Sequence, residues 1–252
     1  MRFNSIGLAI LLLMVPTMTF AAKNTQFSAI GYSQDRQFFA YEEYGVDKDG
    51  GEAFSKVYII NIGQISQVIG TPIIYRANIS EQPIEKIRQQ ALENAQTFLH
   101  SLEITQPAMI VAMIGDWQIM NEENVLEFGI AGTQNQVDFS EAYRLKLETF
   151  QIEATAECAT FSDAQTMGFS LDMQEIDLSD KDSELLGEAD EIYRDDVLAR
   201  SRQCPLIYNL KAIISPFGEN DIKNSLAMIS VYSISEFGFS RNYLAIPLIE
   251  KP

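Results

Sequence analysis

The stretch from Ile30 to Gly45 places aromatic residues on both sides of a short polar segment, Ser33 to Gln37. Aromatic residues favour strands, and a polar segment of this length between two such runs is typical of a hairpin turn. The stretch therefore predicts two antiparallel strands joined by a turn. A similar order of glycine, aromatic residue and serine, followed by an apolar–alanine–apolar run, recurs from Gly238 to Ile246.

The two copies of this motif constrain the architecture. A β-propeller repeats its motif about every 40 residues, whereas here the motif occurs only near the two ends of the chain. We therefore predict a mainly β (α+β) fold rather than a true propeller. It would be a single antiparallel β-rich domain, sandwich-like or built from propeller-blade-like hairpins, with its terminal strands in one sheet. On this hypothesis Ala40 and Ala245 lie close together.

The segment from Glu81 to Leu102 has a different period, with apolar residues at intervals of three and four. This spacing predicts one amphipathic helix packed on the sheet. Ser80 is the expected N-cap, and Pro83 is tolerated because it would lie within the first turn. His100, the single histidine of the chain, falls on the polar side of this helix and is expected at the surface.

Several further segments have the composition and alternation of strands. They are Phe38–Tyr41, Lys56–Ile62, Pro72–Tyr75, Ala108–Ile114, Val125–Ala131, Tyr143–Thr155 and Gln165–Met173. The segment Tyr143–Thr155 also fits a helix. Pro72 is expected to begin an edge strand, because proline cannot donate a hydrogen bond to a neighbouring strand.

The first residues have the order of an export signal. A basic residue precedes an apolar run from Ile6 to Val15, and small residues follow it. The run is shorter than the about 20 apolar residues that a membrane-spanning helix needs. We predict a signal peptide over residues 1–21, cleaved near Ala21/Ala22. Residues 22–252 would then form one soluble domain in the periplasm or outside the cell, without a membrane span.

The charge of the chain bears on its partners. There are 35 acidic and 18 basic residues, and the formal net charge is −17. Nucleic-acid phosphates require neutralisation by lysine and arginine, so this charge disfavours nucleic acid as a partner, and it also disfavours anionic membrane surfaces. Solubility explains such a charge better than a cation-binding role does. The expected partner is an unidentified protein or small-molecule ligand.

Cys158 and Cys204 are the two cysteines of the chain. In an oxidising compartment such a pair is expected to form one structural disulfide bond. Closing the long loop between them would stabilise the fold by about 4 kcal/mol if the bond is unstrained. Neither cysteine belongs to a Cys-x-x-Cys pair, and there is one histidine. A metal or redox-catalytic role therefore lacks partner residues.

The stretch from Asp172 to Asp196 is rich in acidic residues, and carboxylates alternate from Asp180 to Glu184. A calcium-binding EF-hand loop requires glycine at its sixth position, where this chain has Leu185. The pattern therefore favours a solvated acidic loop or a surface helix. No metal or cofactor is expected, while cation binding by the acidic stretch stays open.

Patterns that indicate catalysis are missing from the sequence. It contains no Gly-x-Ser-x-Gly motif and no phosphate-binding loop. A single exposed histidine would leave a serine or cysteine nucleophile without a base. We interpret the chain as a non-enzymatic binding or interaction module, with Glu42, Glu43 and Tyr44 as the candidate interaction surface. The alternative is a carboxylate-dependent hydrolase on an unrecognised scaffold, which requires two buried carboxylates facing each other about 5 to 10 Å apart.

Both ends of the chain carry a resemblance to a known family. Near the N-terminus it rests on Tyr32 to Gly45, of which Tyr41-Glu42-Glu43-Tyr44-Gly45 is the most specific part. Near the C-terminus it rests on Ser201 to Ile246, and above all on Arg202 and Cys204-Pro205. These segments resemble the bacterial family of predicted secreted proteins called domain of unknown function 2259. The resemblance implies export and a shared fold, and it implies no activity.

Overall fold

The computed structural model describes residues 25–47, 51–115, 124–131, 139–161, 165–179, 185–198, 202–218, 222–236 and 238–249. These residues form fourteen strands, one α-helix and short 3-10 helices. In chain order the strands and the α-helix are β1 (Gln26–Ser33), β2 (Phe38–Val46), β3 (Glu52–Asn61), β4 (Ser66–Gln67), β5 (Ile73–Asn78), α1 (Ile84–Ser101), β6 (Ile104–Gln106), β7 (Ala108–Met113), β8 (Val125–Ala131), β9 (Phe139–Gln151), β10 (Met167–Ile176), β11 (Leu185–Asp195), β12 (Cys204–Pro216), β13 (Leu226–Ser235) and β14 (Gly238–Pro247).

The strands pair antiparallel in three sheets. The N-terminal sheet has the order β4-β3-β2-β1-β6, with β5 also paired to β3. The middle sheet has the order β14-β13-β12-β7, and the outer sheet has the order β11-β10-β9-β8. The prediction of a mainly β fold with antiparallel strands and one helix is confirmed.

The middle sheet is buried on both of its faces. On one face, Ile229 belongs to the same apolar cluster as Leu171 of the outer sheet. On the other face, Met228 belongs to the same apolar cluster as Tyr32 of the N-terminal sheet. A strand with both faces buried needs apolar side chains at successive positions, which explains the nearly continuous apolar sequence of β13.

The helix α1 covers the opposite face of the N-terminal sheet. Its alanines Ala91 and Ala95 pack against Ala40 and Val57 of the strands beneath. The layers therefore follow one another in the order helix, N-terminal sheet, middle sheet and outer sheet. Across the residues that the structure describes, no helix combines the length and the apolar character that crossing a membrane requires.

The predicted helix is confirmed, although it begins later than expected. Pro83 is the N-cap, with an extended backbone at φ −65° and ψ 154°. Proline disfavours a helical conformation in the residue before it, so the helix cannot extend back to Ser80. Ser80 instead donates a hydrogen bond to the side chain of Asn78 in the preceding turn. His100 is exposed in the last turn of α1, as expected.

The predicted N-terminal hairpin is confirmed by the antiparallel pairing of β1 with β2. Each of the other predicted strand segments also overlaps a strand, and Tyr143–Thr155, which also fitted a helix, lies largely in β9. Gly31 sits at an irregularity in β1. A Cβ atom at this position would lie 2.4 Å from the carbonyl oxygen of Gln106 in β6. The hairpin motif therefore needs glycine here so that a third strand can approach.

The prediction that the terminal strands share one sheet is wrong. Both sides of β1 already have partners, namely β2 and β6, whereas β14 is an edge strand of the middle sheet. The strands β1 and β2 instead face β14 across two layers, where Tyr243 and Ala245 join the cluster that contains Tyr32 and Phe39. Ala40 lies on the opposite face of β2, against the helix.

The prediction of an acidic loop or surface helix over Asp172 to Asp196 is also wrong for the described part of that stretch. Most of it belongs to β10 and to the edge strand β11, which buries Ile192 and Asp195 while Glu188 and Asp190 are exposed. Alternating burial allows a strand to be acidic on its outer face. The segment Asp180–Glu184 and the signal peptide lie outside the described residues. Within the described ranges, no group of three or more histidine, cysteine or acidic side chains could hold a metal ion.

Candidate functional site

The three residues of the predicted interaction surface, Glu42, Glu43 and Tyr44, are consecutive residues of β2. Glu42 and Glu43 are 1% and 0% exposed, and Tyr44 is half-buried. Successive side chains of a strand point to opposite faces. Glu42 and Tyr44 therefore face α1, whereas Glu43 faces the middle sheet. The role of these residues in binding a partner stays a prediction.

Glu42 joins the helix to the sheet. Arg88 of α1 donates from Nε to both carboxylate oxygens, at 3.0 and 3.1 Å, and from Nη2 to Oε2 at 2.7 Å. The hydroxyl of Ser55 donates to the same carboxylate at 2.8 Å. The guanidinium of Arg88 also lies over the ring of Tyr44, 3.8 Å from its centroid. This arrangement anchors α1 with a paired charge, and it leaves Glu42 no free oxygen for chemistry.

Glu43 joins the N-terminal sheet to the middle sheet. Its Oε1 accepts the backbone N–H of Tyr243 at 2.6 Å, and the ammonium of Lys56 lies 3.5 Å from Oε2. Tyr58 also hydrogen bonds to this carboxylate. Burial raises the pKa of Glu43, although Lys56 and the two hydrogen bonds oppose the shift.

The same contacts cap the edge of β14. The hydroxyl of Tyr41 donates to the carbonyl oxygen of Tyr243 at 3.0 Å, so side chains of β2 satisfy both the N–H and the C=O of Tyr243. In an antiparallel strand, every second residue directs these groups to the same side. Ala245 therefore directs its N–H and C=O toward the same open edge.

A cavity of about 410 Å³ follows this edge. Five consecutive residues of β14, from Asn242 to Ile246, line it. Side chains of consecutive strand residues alternate between faces, so a cavity lined by all five must run along the edge of the strand. Lys56 and Tyr58 form the wall on the N-terminal sheet, and Tyr193 and Arg202 lie on the opposite wall. We call this cavity the edge cleft.

The edge cleft is locally cationic in an acidic protein. Its described lining includes Lys56 and Arg202 and no aspartate or glutamate. Each cation has a carboxylate partner that is not among the lining residues: Glu43 contacts Lys56, and Asp195 forms an ion pair with Arg202. The ammonium of Lys56 makes long contacts, 3.5 Å to Glu43 and 3.4 Å to Oδ1 of Asn242. An ammonium has three donors, so Lys56 retains the capacity to bind a further acceptor.

Tyrosines supply the aromatic part of the edge cleft. The rings of Tyr41 and Tyr58 stack with centroids 5.0 Å apart and an interplanar angle of 7°. Burial raises the pKa of both hydroxyls, and the nearby Glu43 raises it further. Both tyrosines are therefore neutral at physiological pH and can donate hydrogen bonds.

The predicted disulfide bond between Cys158 and Cys204 is confirmed. Cys204 directly follows Arg202 and Gln203, two residues that line the edge cleft. The hydroxyl of Ser233 also donates to the carbonyl oxygen of Arg202, at 3.3 Å. The disulfide bond therefore fixes one rim of the edge cleft.

Sequence reasoning missed most of this site. Lys56 and Tyr58 lie within a predicted strand, and their alternation with Val57 places them on one face, but nothing in the sequence reveals which sheet that face meets. Arg202 belongs to the C-terminal segment that carries the family resemblance. This resemblance is the sequence signal that could have pointed to Arg202 as a site residue.

Comparison with known protein families gives a match. The family model described as predicted secreted protein (DUF2259) matches residues 40–248. This range includes every described part of the edge cleft. No curated protein and no solved structure matches the chain.

Proposed function

Because the chain belongs to the DUF2259 family of predicted secreted proteins, we propose that it is an exported, non-enzymatic binding module that holds a small ligand in the edge cleft. The observation that carries this proposal is the cationic, tyrosine-lined cavity along β14. Its volume lies within the range of about 300 to 1,000 Å³ that is typical of small-molecule sites. The proposal places the mature protein in the periplasm or outside the cell, after cleavage near Ala21/Ala22.

The chemistry of the lining supports binding over catalysis. A carboxylate-dependent hydrolase needs two carboxylates that face the same substrate bond. Among the described residues, no carboxylate lines the edge cleft. Glu42 and Glu43 point to opposite faces of β2, and each is occupied by its own cation. Lysine, arginine and tyrosine side chains, by contrast, can orient a ligand without reacting with it.

A fragment screen observed by ¹H–¹⁵N NMR tests the proposal on the mature protein. The screen uses small acids, amides, sugars and short peptides. Ligands should shift the amide signals of Asn242 to Ile246 more than those of the outer sheet. The variant Ser66→Trp places a large ring at an exposed position on the cleft rim and should weaken binding at least about tenfold.

Ser101→Trp is the matched control, because Ser101 is exposed at the end of α1 and does not line the edge cleft. This variant should bind as the wild type does. The proposal is refuted if no compound class shifts the β14 signals, or if the two tryptophan variants weaken binding equally.

A further inference from the structure

We infer that the ligand of the edge cleft is a short extended peptide that ends in a free carboxylate. This inference rests on the proposed function and goes further by naming the class of ligand. It follows from three features of the cleft: the backbone groups on its floor, the cations on its walls and the side chains that limit its length.

The floor of the edge cleft matches the backbone of a peptide. Among the described strands, β14 pairs with β13 alone, and the register of this pairing places Ala245 opposite Met228. Tyr243 and Ala245 are two residues apart, so the N–H and C=O of Ala245 point to the same side as those of Tyr243. A ligand with an amide N–H and a C=O at the spacing of a strand can pair with both groups of Ala245.

The walls favour a carboxylate at one end of that peptide. Lys56 of β3 and Arg202, just before β12, both line the edge cleft, with side chains 16% and 15% exposed. Charge-assisted hydrogen bonds to a carboxylate are about twice as strong as neutral ones. The net charge of −17 repels larger polyanions, so a single carboxylate is favoured over a polyphosphate or a nucleic acid.

The capped part of β14 limits the length of the peptide. Glu43 and Tyr41 already occupy the N–H and the C=O of Tyr243. A long strand added from another protein would have to displace both side chains from a buried position, and this would leave a buried carboxylate without its partner. Beyond Tyr243, three residues of β14, Leu244 to Ile246, line the cleft, so a ligand paired along them has room for about two or three residues. The site therefore fits a free short peptide better than a strand of a partner protein.

A ligand series on the wild-type protein separates these features. The probes are acetyl-Leu-Leu with a free carboxylate, the same compound as its C-terminal amide, and the same compound with its internal amide N-methylated. Isothermal titration calorimetry measures affinity, and NMR locates each probe. Affinity should fall at least about tenfold for the C-terminal amide and about threefold to tenfold for the N-methylated compound. The simple acid 3-methylbutyrate should bind more weakly than the peptide acid.

Two lysine variants test the same inference by changing the protein instead of the ligand. Lys56→Gln should remove most of the preference for the acid over the amide. The matched change Lys86→Gln, on the exposed face of α1, should leave that preference intact. Urea unfolding of both variants verifies that they are folded.

The possible outcomes distinguish the two proposals. If neutral fragments shift the β14 signals while the peptide acid binds no better than its amide or than 3-methylbutyrate, the peptide inference is refuted and the binding module stands. If no compound shifts the β14 signals, the binding module and the peptide inference fail together. A preference for the acid that survives Lys56→Gln refutes the assignment of Lys56.

Discussion

Glu43 provides the sharpest test of how the N-terminal sheet is fixed to the middle sheet. Its carboxylate is fully buried and accepts the Tyr243 N–H at 2.6 Å, with the Lys56 ammonium 3.5 Å away. Two substitutions separate the charge from the hydrogen bond. Glu43→Gln keeps an oxygen that can accept the N–H, whereas Glu43→Leu removes every acceptor.

The charge makes a pH-dependent contribution to stability. Because burial raises the pKa of Glu43 in the folded protein, the folded state holds the proton more tightly than the unfolded state does. The stability that comes from this protonation is fully present below the unfolded value of about 4.3 and is lost as the pH rises through the folded pKa. Each unit of pKa difference corresponds to about 1.4 kcal/mol.

The Glu43→Gln variant has no ionisable group at this position, so its free energy of unfolding does not fall in this way as the pH rises. Its free energy of unfolding relative to the wild type should therefore become more favourable as the pH rises from about 4 to 8. Glu43→Leu should show the same trend with a constant additional cost of about 1 to 3 kcal/mol, because the buried N–H of Tyr243 loses its acceptor. Contributions from the other carboxylates cancel in the difference between variant and wild type.

Urea unfolding at several pH values, followed by circular dichroism, measures these differences. The reasoning is refuted if the free energy of unfolding of Glu43→Gln, measured relative to that of the wild type, stays constant or becomes less favourable as the pH rises. It is also refuted if Glu43→Leu is as stable as Glu43→Gln at every pH.

Three further predictions concern the scaffold. Glu42→Gln should lower the free energy of unfolding by about 2 to 3 kcal/mol, which is less than for a fully buried ion pair because the Arg88 side chain is 31% exposed. A double-mutant cycle with Arg88→Met should show a coupling free energy above about 1 kcal/mol, and additive effects of the two substitutions would contradict this prediction. Gly31→Ala should destabilise by at least about 2 kcal/mol in thermal unfolding, whereas Gly51→Ala, with nothing within 4 Å of the added Cβ, should have little effect. Reducing the disulfide bond, which spans 46 residues, should cost up to about 4 kcal/mol in urea unfolding, and an unchanged midpoint would contradict that value.

The local part of this fold could be predicted from the sequence, because it depends on near neighbours. The periods of two and of three to four fixed the strands and the helix, since they reflect which side chains share a face. The start of α1 was missed because proline controls the backbone before it more strongly than a serine cap does. Arg88 is 46 residues from Glu42, and Tyr243 is 200 residues from Glu43. The burial of the two glutamates depends on these distant partners, and no local pattern predicts them.

Two edge strands of this protein avoid unwanted pairing in different ways, and the difference explains where the edge cleft lies. The outer edge strand β11 is largely exposed, and it carries acidic side chains that deter another strand. The edge strand β14 has little charge and is mostly buried, because the N-terminal sheet packs over it and side chains of β2 cap part of its backbone. A recessed edge excludes a long strand by shape and does not need charge to do so. Such an edge can present the backbone N–H and C=O of Ala245 to a ligand small enough to enter the cleft.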